Sequence, residues 1–249
     1  MIKAITFDFW DTLVIDDSDE PKRAAQGLSS KAETRRQLLA AEIGRYHPEI
    51  GPERAAEAFA WANEQFNYCW KTLHYTPTVA ARLSLAYTRL GIDLTPGFAE
   101  LVTAVEQMEV AISPDFLPGV AETLAALAQN YTLGIVSDAI HTPGRGLRRI
   151  LERAGLLDYF TYCVFSDEGG AAKPHPRVFE MAAAKLDTSL DQIVHVGDRE
   201  SNDVAGPLAL GMKAILFTGA VDRGSEGTQA AAVCHNFADL PKIIAEIGS

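Results

Sequence analysis

The chain has 249 residues, 47 % of them apolar, which suits one large domain or one domain carrying an insertion. Its 22 Lys and Arg against 33 Asp and Glu leave a net charge of −11, and no basic cluster opposes that balance. This weighs against an electrostatic partner such as nucleic acid or an anionic membrane, but it leaves room for a small anionic substrate held by local positive charge or a metal.

Cys69, Cys163 and Cys234 are too few and too widely spaced to suggest a disulfide framework or a zinc site. No apolar run approaches the length of a membrane span. A soluble, cytoplasmic protein is expected.

"KAITFDFW" opens the chain as a buried strand and delivers Asp8 to its carboxyl end. From residue 15 to about 113 the pattern turns helical, in "AETRRQLLAAEIGRY", "ERAAEAFAWANEQFNYCWKTL", "VAARLSLAYTRLG" and "FAELVTAVEQMEVA". Pro48, Gly51, Pro52, Pro77, Gly91 and Pro96 punctuate these segments. The chain returns at "SPDFLPGV" and enters a helix at "GVAETLAALAQN". Strands then follow at "YTLGIVSD", "YCVFSD", "IVHVGD" and "KAILFTG", with "RVFEMAAAKL" a helix among them.

Strands apolar on both faces and separated by helices predict a parallel sheet with helices on either side. The expected fold is α/β: a Rossmann-like core of about five strands from residues 1–14 and 114–249, with residues 15–113 inserted as a helical domain. Ligands of such sheets sit at the carboxyl ends of the strands, where Asp8, Ser137 and Asp198 fall.

Four strand-end segments carry the chemistry: "DFWDTL" with Asp8, Thr12 and Leu13; "GIVSD" with Ser137 and Asp138; "KPHPRVF" with Lys173; and "GDRESNDVAG" with Asp198 and Asp203. In this order and on these elements they resemble the haloacid dehalogenase superfamily, and the resemblance spans the chain. It implies that Asp8 is a nucleophile and that Lys173 acts beside it in catalysis. Ser137, Asp138 and Lys173 would bind the substrate, and the helical insertion would be a cap.

Elementary electrostatics points the same way. At about 4 Å and an effective dielectric near 20, each repulsion between the nucleophile and one phosphate charge costs roughly 4 kcal/mol. Asp8, Asp198 and Asp203 against Lys173 leave the cluster two charges negative, so a phosphate dianion requires a divalent cation there. Oxygen ligands suit Mg²⁺. The resemblance implies ligands from Asp8, the Trp10 carbonyl and Asp198, with Asp203 either binding directly or orienting Lys173.

One departure stands out. The position two after the nucleophile, normally a second Asp acting as general acid and base, is Trp10, and indole shuttles no proton at neutral pH. Asp11 occupies a position that is usually glycine, and its side chain is expected to point elsewhere.

The expectation is a Mg²⁺-dependent phosphohydrolase of a small phosphorylated metabolite, acting through an aspartyl-phosphate and favouring acidic leaving groups. The alternatives are a metal-independent 2-haloacid dehalogenase and a catalytically weak relative that binds a ligand or partner. Among neighbouring residues, His175 and His195 read as structural; Trp70, with Lys71 and His74, lies on a segment that could face the site, although helix packing explains Trp70 at least as well; and Arg35 and Arg36 could help bind an anionic substrate tail, although a solvated helix face is the safer account.

Overall fold

The computed structural model describes residues 1–248. All four residues of β1 (Ala4–Phe7) are buried, because the strand lies in the middle of a parallel sheet and is covered on both faces. Its partners are β2 (Thr132–Ser137), β3 (Phe160–Phe165), β4 (Ile193–Gly197), β5 (Lys213–Phe217) and β6 (Ala232–Cys234). The order across the sheet is β3-β2-β1-β4-β5-β6.

Six strands form where about five were expected. The sixth, "AVC", is only three residues long at the sheet edge, too short to leave a periodic signal. The third strand starts at Phe160, ahead of the expected segment, and ends before Ser166, which opens a short helix, α9 (Ser166–Gly169).

Between β1 and residue 113 lie six helices: α1 (Glu20–Ala25), α2 (Lys31–Tyr46), α3 (Pro52–Lys71), α4 (Val79–Leu90), α5 (Phe98–Glu106) and α6 (Met108–Ala111). Serine and threonine start two of them as their spacing demands: Ser30 accepts from the Glu33 amide and Thr78 from the Ala81 amide. Their apolar faces meet in a core of their own, around Leu39, Ile43, Phe59, Leu83, Tyr87 and Val105. The single helix expected over "FAELVTAVEQMEVA" breaks at Gln107. The break turns two buried acids to different partners, Glu106 to Arg145 and Glu109 to Lys31.

The remaining helices are α7 (Val120–Leu127), α8 (Gly144–Arg153), α10 (Pro176–Lys185), α11 (Gly206–Ala209) and α12 (Leu240–Gly248). The two-residue period of the strands sorts them. Ile5, Phe7, Ile135 and Val196 face a core that takes in Leu124, Leu147 and Ile244. Ala4, Val136, Val164 and Ile193 face the opposite layer, with Val178 and Phe179.

The two ends of the helical insertion run side by side. Val14 bridges Phe116 in antiparallel fashion, the Ile15 amide donates to the Asp115 carbonyl at 2.9 Å, and the Leu117 amide donates to Leu13 at 3.0 Å. Among the described residues no helix is long and apolar enough to cross a membrane.

Candidate active site

Sheet register brings the expected residues together. Phe7 is aligned with Ile135 on one side and Val196 on the other, so Asp8, Ser137 and Asp198 emerge next to one another. Asp8 is 5 % exposed, and its Oδ1 lies 2.7 Å from Lys173 Nζ. The same ammonium lies 2.5 Å from Asp203 Oδ1.

Asp203 sits in a π-helical turn, Glu200–Ala205, and is fully buried. Its Oδ1 also pairs with His195 Nε2 at 3.2 Å, while its Oδ2 accepts from the Arg199 amide at 2.9 Å. His195 in turn meets Thr6 Oγ1 at 2.9 Å through Nδ1. Burial lowers the pKa of the imidazole, keeping it neutral, so Nε2–H can donate to Asp203 while Nδ1 accepts from the threonine.

Space for the Asp203 carboxylate exists only because the preceding strand ends in glycine. A Cβ on Gly197 would lie 2.4 Å from Asp203 Cγ.

Charge dictates the protonation states here. Burial pushes Lys173 down, but Asp203, Asp8 and Asp138 outweigh it and raise its pKa above the ordinary range. For Asp203 burial acts upward, and Lys173 with His195 overcomes it, holding the carboxylate well below its usual range. Asp198 goes the other way, pushed up to about 7 by burial and by the charges of Asp8 and Asp203.

Asp198 also meets a residue that the sequence did not flag. Arg223, in the loop after β5, approaches Asp198 Oδ2 with Nε and Asp11 Oδ2 with Nη2, both at 2.5 Å. Asp11 holds left-handed backbone (φ 50°), a conformation aspartate tolerates better than most residues, and it also accepts from the Asp16 amide. Its carboxylate therefore points to Arg223, as expected of a side chain at this position.

Four carboxylates, Asp8, Asp11, Asp198 and Asp203, thus share two hydrogen-bonded cations, Lys173 and Arg223. One ligand atom from each of Asp8, Asp198 and Asp203 falls within a 4.8 Å cluster. Asp198 Oδ1 is buried with no partner among the described residues. A clustered set of hard oxygens, a net negative charge and an orphaned carboxylate oxygen fit a divalent cation.

Ser137 Oγ is likewise buried without a partner, and it caps no helix: the nearby Ala139 amide donates to Ser166 Oγ instead. Asp138, expected to bind substrate, lines the cavity but is committed to protein partners. Its Oδ1 accepts from the Lys173 amide at 3.0 Å and its Oδ2 from Trp70 Nε1 at 2.8 Å. Burial pushes Asp138 up to about 6. Trp70 is therefore more than helix packing, since its indole ties α3 to the end of β2.

The cavity over Asp8 encloses about 250 Å³, and its walls include Trp10, Trp70, Asp138 and Lys173 as well as Asp16, Asp17, Lys31, Arg35 and Glu109. Arg35, expected on a solvated face, is only 7 % exposed and belongs to this wall. Arg36, one position on, keeps to the surface and pairs with Glu33. His175 is structural, its Nδ1 accepting from the Arg177 amide at the start of α10.

Comparison with known proteins agrees with this architecture. The family model of haloacid dehalogenase-like hydrolases matches residues 2–211. A glyceraldehyde 3-phosphate phosphatase of Pyrococcus furiosus is 34 % identical over 102 residues, 41 % of each chain. One from Methanopyrus kandleri is 28 % identical over 85 % of this chain and 82 % of its own. The chain spans about two fifths of the length of the first curated relatives it matches.

Among solved structures, a HAD phosphatase from Thermococcus onnurineus superposes with a TM-score of 0.66 at 25 % identity over 98 % of both chains. A 2-haloacid dehalogenase from Pseudomonas syringae superposes with a TM-score of 0.72 at 24 % identity, over 99 % of this chain and 100 % of that one. Sheet order, strand-end residues and the family match together place the chain in the family of haloacid dehalogenase-like hydrolases.

Proposed function

We propose that the protein is a Mg²⁺-dependent phosphohydrolase acting on a small phosphorylated metabolite. The observation that carries this reading is the unpartnered Asp198 Oδ1 inside a carboxylate cluster beside Asp8. A metal-independent dehalogenase has no use for a buried acid there, which would only repel its carboxylate substrate. The phosphatase names of the curated relatives support the same choice.

Asp8, the Trp10 carbonyl and Asp198 would hold the ion, with Asp203 in support through Lys173. When bound, the ion offsets the charge of the phosphoryl oxygens and lets a carboxylate approach them. Asp8 attacks phosphorus, the ester oxygen departs with the bonding electrons, and water then cleaves the aspartyl-phosphate to restore the carboxylate. Lys173, fixed by Asp203, neutralises charge on the transferring group, and Ser137 Oγ–H donates to a phosphoryl oxygen. The helical insertion acts as a cap, which Trp70 fastens to the core through Asp138 and which excludes water during transfer.

Neither residue after the nucleophile supplies a proton to the leaving oxygen, since Trp10 has no labile proton of suitable pKa and Asp11 is committed to Arg223. Esters whose leaving groups are already acidic, such as aryl and acyl phosphates, should turn over fastest. Trp10 also motivates the second reading, a 2-haloacid dehalogenase, because a departing halide needs no proton.

Hydrolysis of an aryl phosphate with and without Mg²⁺, alongside halide release from 2-chloropropionate, decides between them. The proposal expects metal-dependent phosphate release that Asp8→Asn abolishes. Metal-free halide release refutes it, and silence in both assays despite Mg²⁺ binding leaves a ligand-binding relative.

A further inference from the structure

Two buried arginines in the helical insertion each keep a guanidinium nitrogen that has no acceptor among the described residues. Arg82, on α4, is 5 % exposed, and among the described residues it has no carboxylate partner. Its guanidinium lies 3.8 Å from the centroid of the Phe66 ring. Its Nη1 reaches His141 Nδ1 at 3.0 Å and, less closely, the Ile140 carbonyl at 3.4 Å. Arg82 Nε is buried with no acceptor among the described residues.

Arg35 is little better served. Its Nη2 stands 3.4 Å from Glu109 Oε1, and its Nε is also an orphan. That carboxylate is already in use: Oε1 lies 3.1 Å from Lys31 Nζ and Oε2 takes the Thr142 hydroxyl. Lys31, by contrast, is saturated, with Asp19 at 2.7 Å and Asp17 at 2.9 Å as well.

Desolvating a guanidinium without a counter-ion is costly, and placing two close together adds repulsion. Burial and the charge of Arg35 push Arg82 down to about 9. His141, between the arginines and the cavity, is held neutral by burial and by Arg35 and Arg82. Arg35 and His141 line both the cavity over Asp8 and a second cleft, where Arg82 joins them. Arg35 thus borders the space that Asp8 opens into, beside Lys31, Asp16, Asp17 and Glu109, while Arg82 stands behind it in the second cleft.

We propose that Arg35 and Arg82 form a receptor for a second anionic group, a carboxylate or a phosphate, carried by the substrate whose phosphoryl end lies on Asp8. This rests on the phosphohydrolase reading and narrows it to esters with an oxyanion at the other end. Arg35 is the donor such a group meets first. Its planar fork matches an oxyanion in two hydrogen bonds, and Arg82 adds a second charge behind it. Neutral His141 lends a ring nitrogen without adding to the repulsion between the two arginines.

The test uses non-hydrolysable probes, so that it does not depend on turnover. Binding of 3-phosphonopropionate, 1,3-propanediphosphonate and 3-hydroxypropylphosphonate to the whole protein is measured by calorimetry with Mg²⁺ present. The two doubly anionic probes should bind at least tenfold more tightly than the hydroxyl probe. Which of the two binds better identifies the distal group as carboxylate or phosphate.

In Arg35→Leu and Arg82→Leu the advantage should shrink to within about threefold. Equal binding of all three probes by the wild type overturns the proposal without needing any variant to fold. An advantage that survives both substitutions overturns it too, as does failure of every probe to bind. A clear preference in a protein that never hydrolyses a phosphate ester supports the receptor while defeating the phosphohydrolase reading.

Discussion

Replacing Trp10 with Asp restores a carboxyl group where the family usually carries one, and the consequences divide by leaving group. Trp10 already lines the cavity over Asp8, so the new side chain faces the reacting centre. General acid catalysis is worth about 10²–10⁴ in rate. Taking the lower end, the barrier for an alkyl phosphate falls by about 2.7 kcal/mol.

The same change costs stability. Another carboxylate 4.8 Å away, the outer spread of the Asp8, Asp198 and Asp203 cluster, meets about 3.5 kcal/mol of repulsion from a single net charge at an effective dielectric near 20, Lys173 offsetting part of the rest. The edge contact of the indole with Phe9, 5.1 Å between centroids, is also lost. For a chain of this size 1 kcal/mol is about 2–4 °C of melting temperature, so the metal-free variant should melt about 7–14 °C lower. Mg²⁺ should recover most of that loss.

Steady-state kcat/KM at saturating Mg²⁺ on 4-nitrophenyl phosphate and on 2-phenylethyl phosphate makes the comparison. The variant should gain about 100-fold on the alkyl ester and less than about threefold on the aryl ester. Equal changes on both, in a folded variant that still responds to Mg²⁺, refute the idea that the missing proton donor limits the enzyme.

Lys173→Met leaves Asp8 and Asp203 buried without their shared cation. It should cost about 3–5 kcal/mol in thermal unfolding and about 10³ in kcat; a melting temperature unchanged in metal-free buffer counts against the ion pairs. Gly197→Ala should displace the Asp203 carboxylate, since the new methyl meets Asp203 Cγ at 2.4 Å. The expected cost is about 1–3 kcal/mol, together with weaker Mg²⁺ binding by calorimetry, whereas wild-type affinity would show that Asp203 does not support the ion. Asp138 in the folded protein titrates near 6 rather than the ordinary 3.8, chiefly because it is buried. The native state thus binds its proton more tightly than the unfolded chain, and ionisation between pH 4 and 6 opposes folding. Because Trp70 donates to this carboxylate, tryptophan emission should show a step near pH 6 that Asp138→Asn lacks; a flat emission profile in the wild type contradicts the assignment.

The residues at the strand ends were readable because a buried parallel strand announces itself as an apolar run, and the sheet then decides what comes next to what. The placement of Asp8, Ser137 and Asp198 needed only that logic, whereas Lys173 and Asp203 came from the resemblance of "KPHPRVF" and "GDRESNDVAG" to the family's motifs. Residues whose position depends on how helices dock gave no such signal. Arg35 and Arg36 are neighbours in a charged helix, yet one is buried in the cavity wall and the other lies in solvent. Arg35 falls four positions before Leu39 and eight before Ile43, in line with the buried stripe of α2, but a pattern that marks apolar positions passes over a charged residue in that line. Trp70 could be placed on a helix but not aimed at Asp138, and Arg223 lies in the loop "VDRGSEG", where no pattern ties it to Asp11 or Asp198. The edge strand β6 and the break at Gln107 are set by pairing and by buried charges, which act across the fold rather than along the chain.

The antiparallel seam joining Leu13–Ile15 to Asp115–Leu117 has an architectural corollary. Because the outgoing and returning strands are zipped to each other, everything strung between them hangs from a neck whose width is fixed by backbone hydrogen bonds. Helices there can be lengthened, traded or trimmed without altering the spacing that the sheet has to accommodate. Selectivity for new substrates can therefore evolve beyond the neck while the strand tips that carry out the chemistry stay in register.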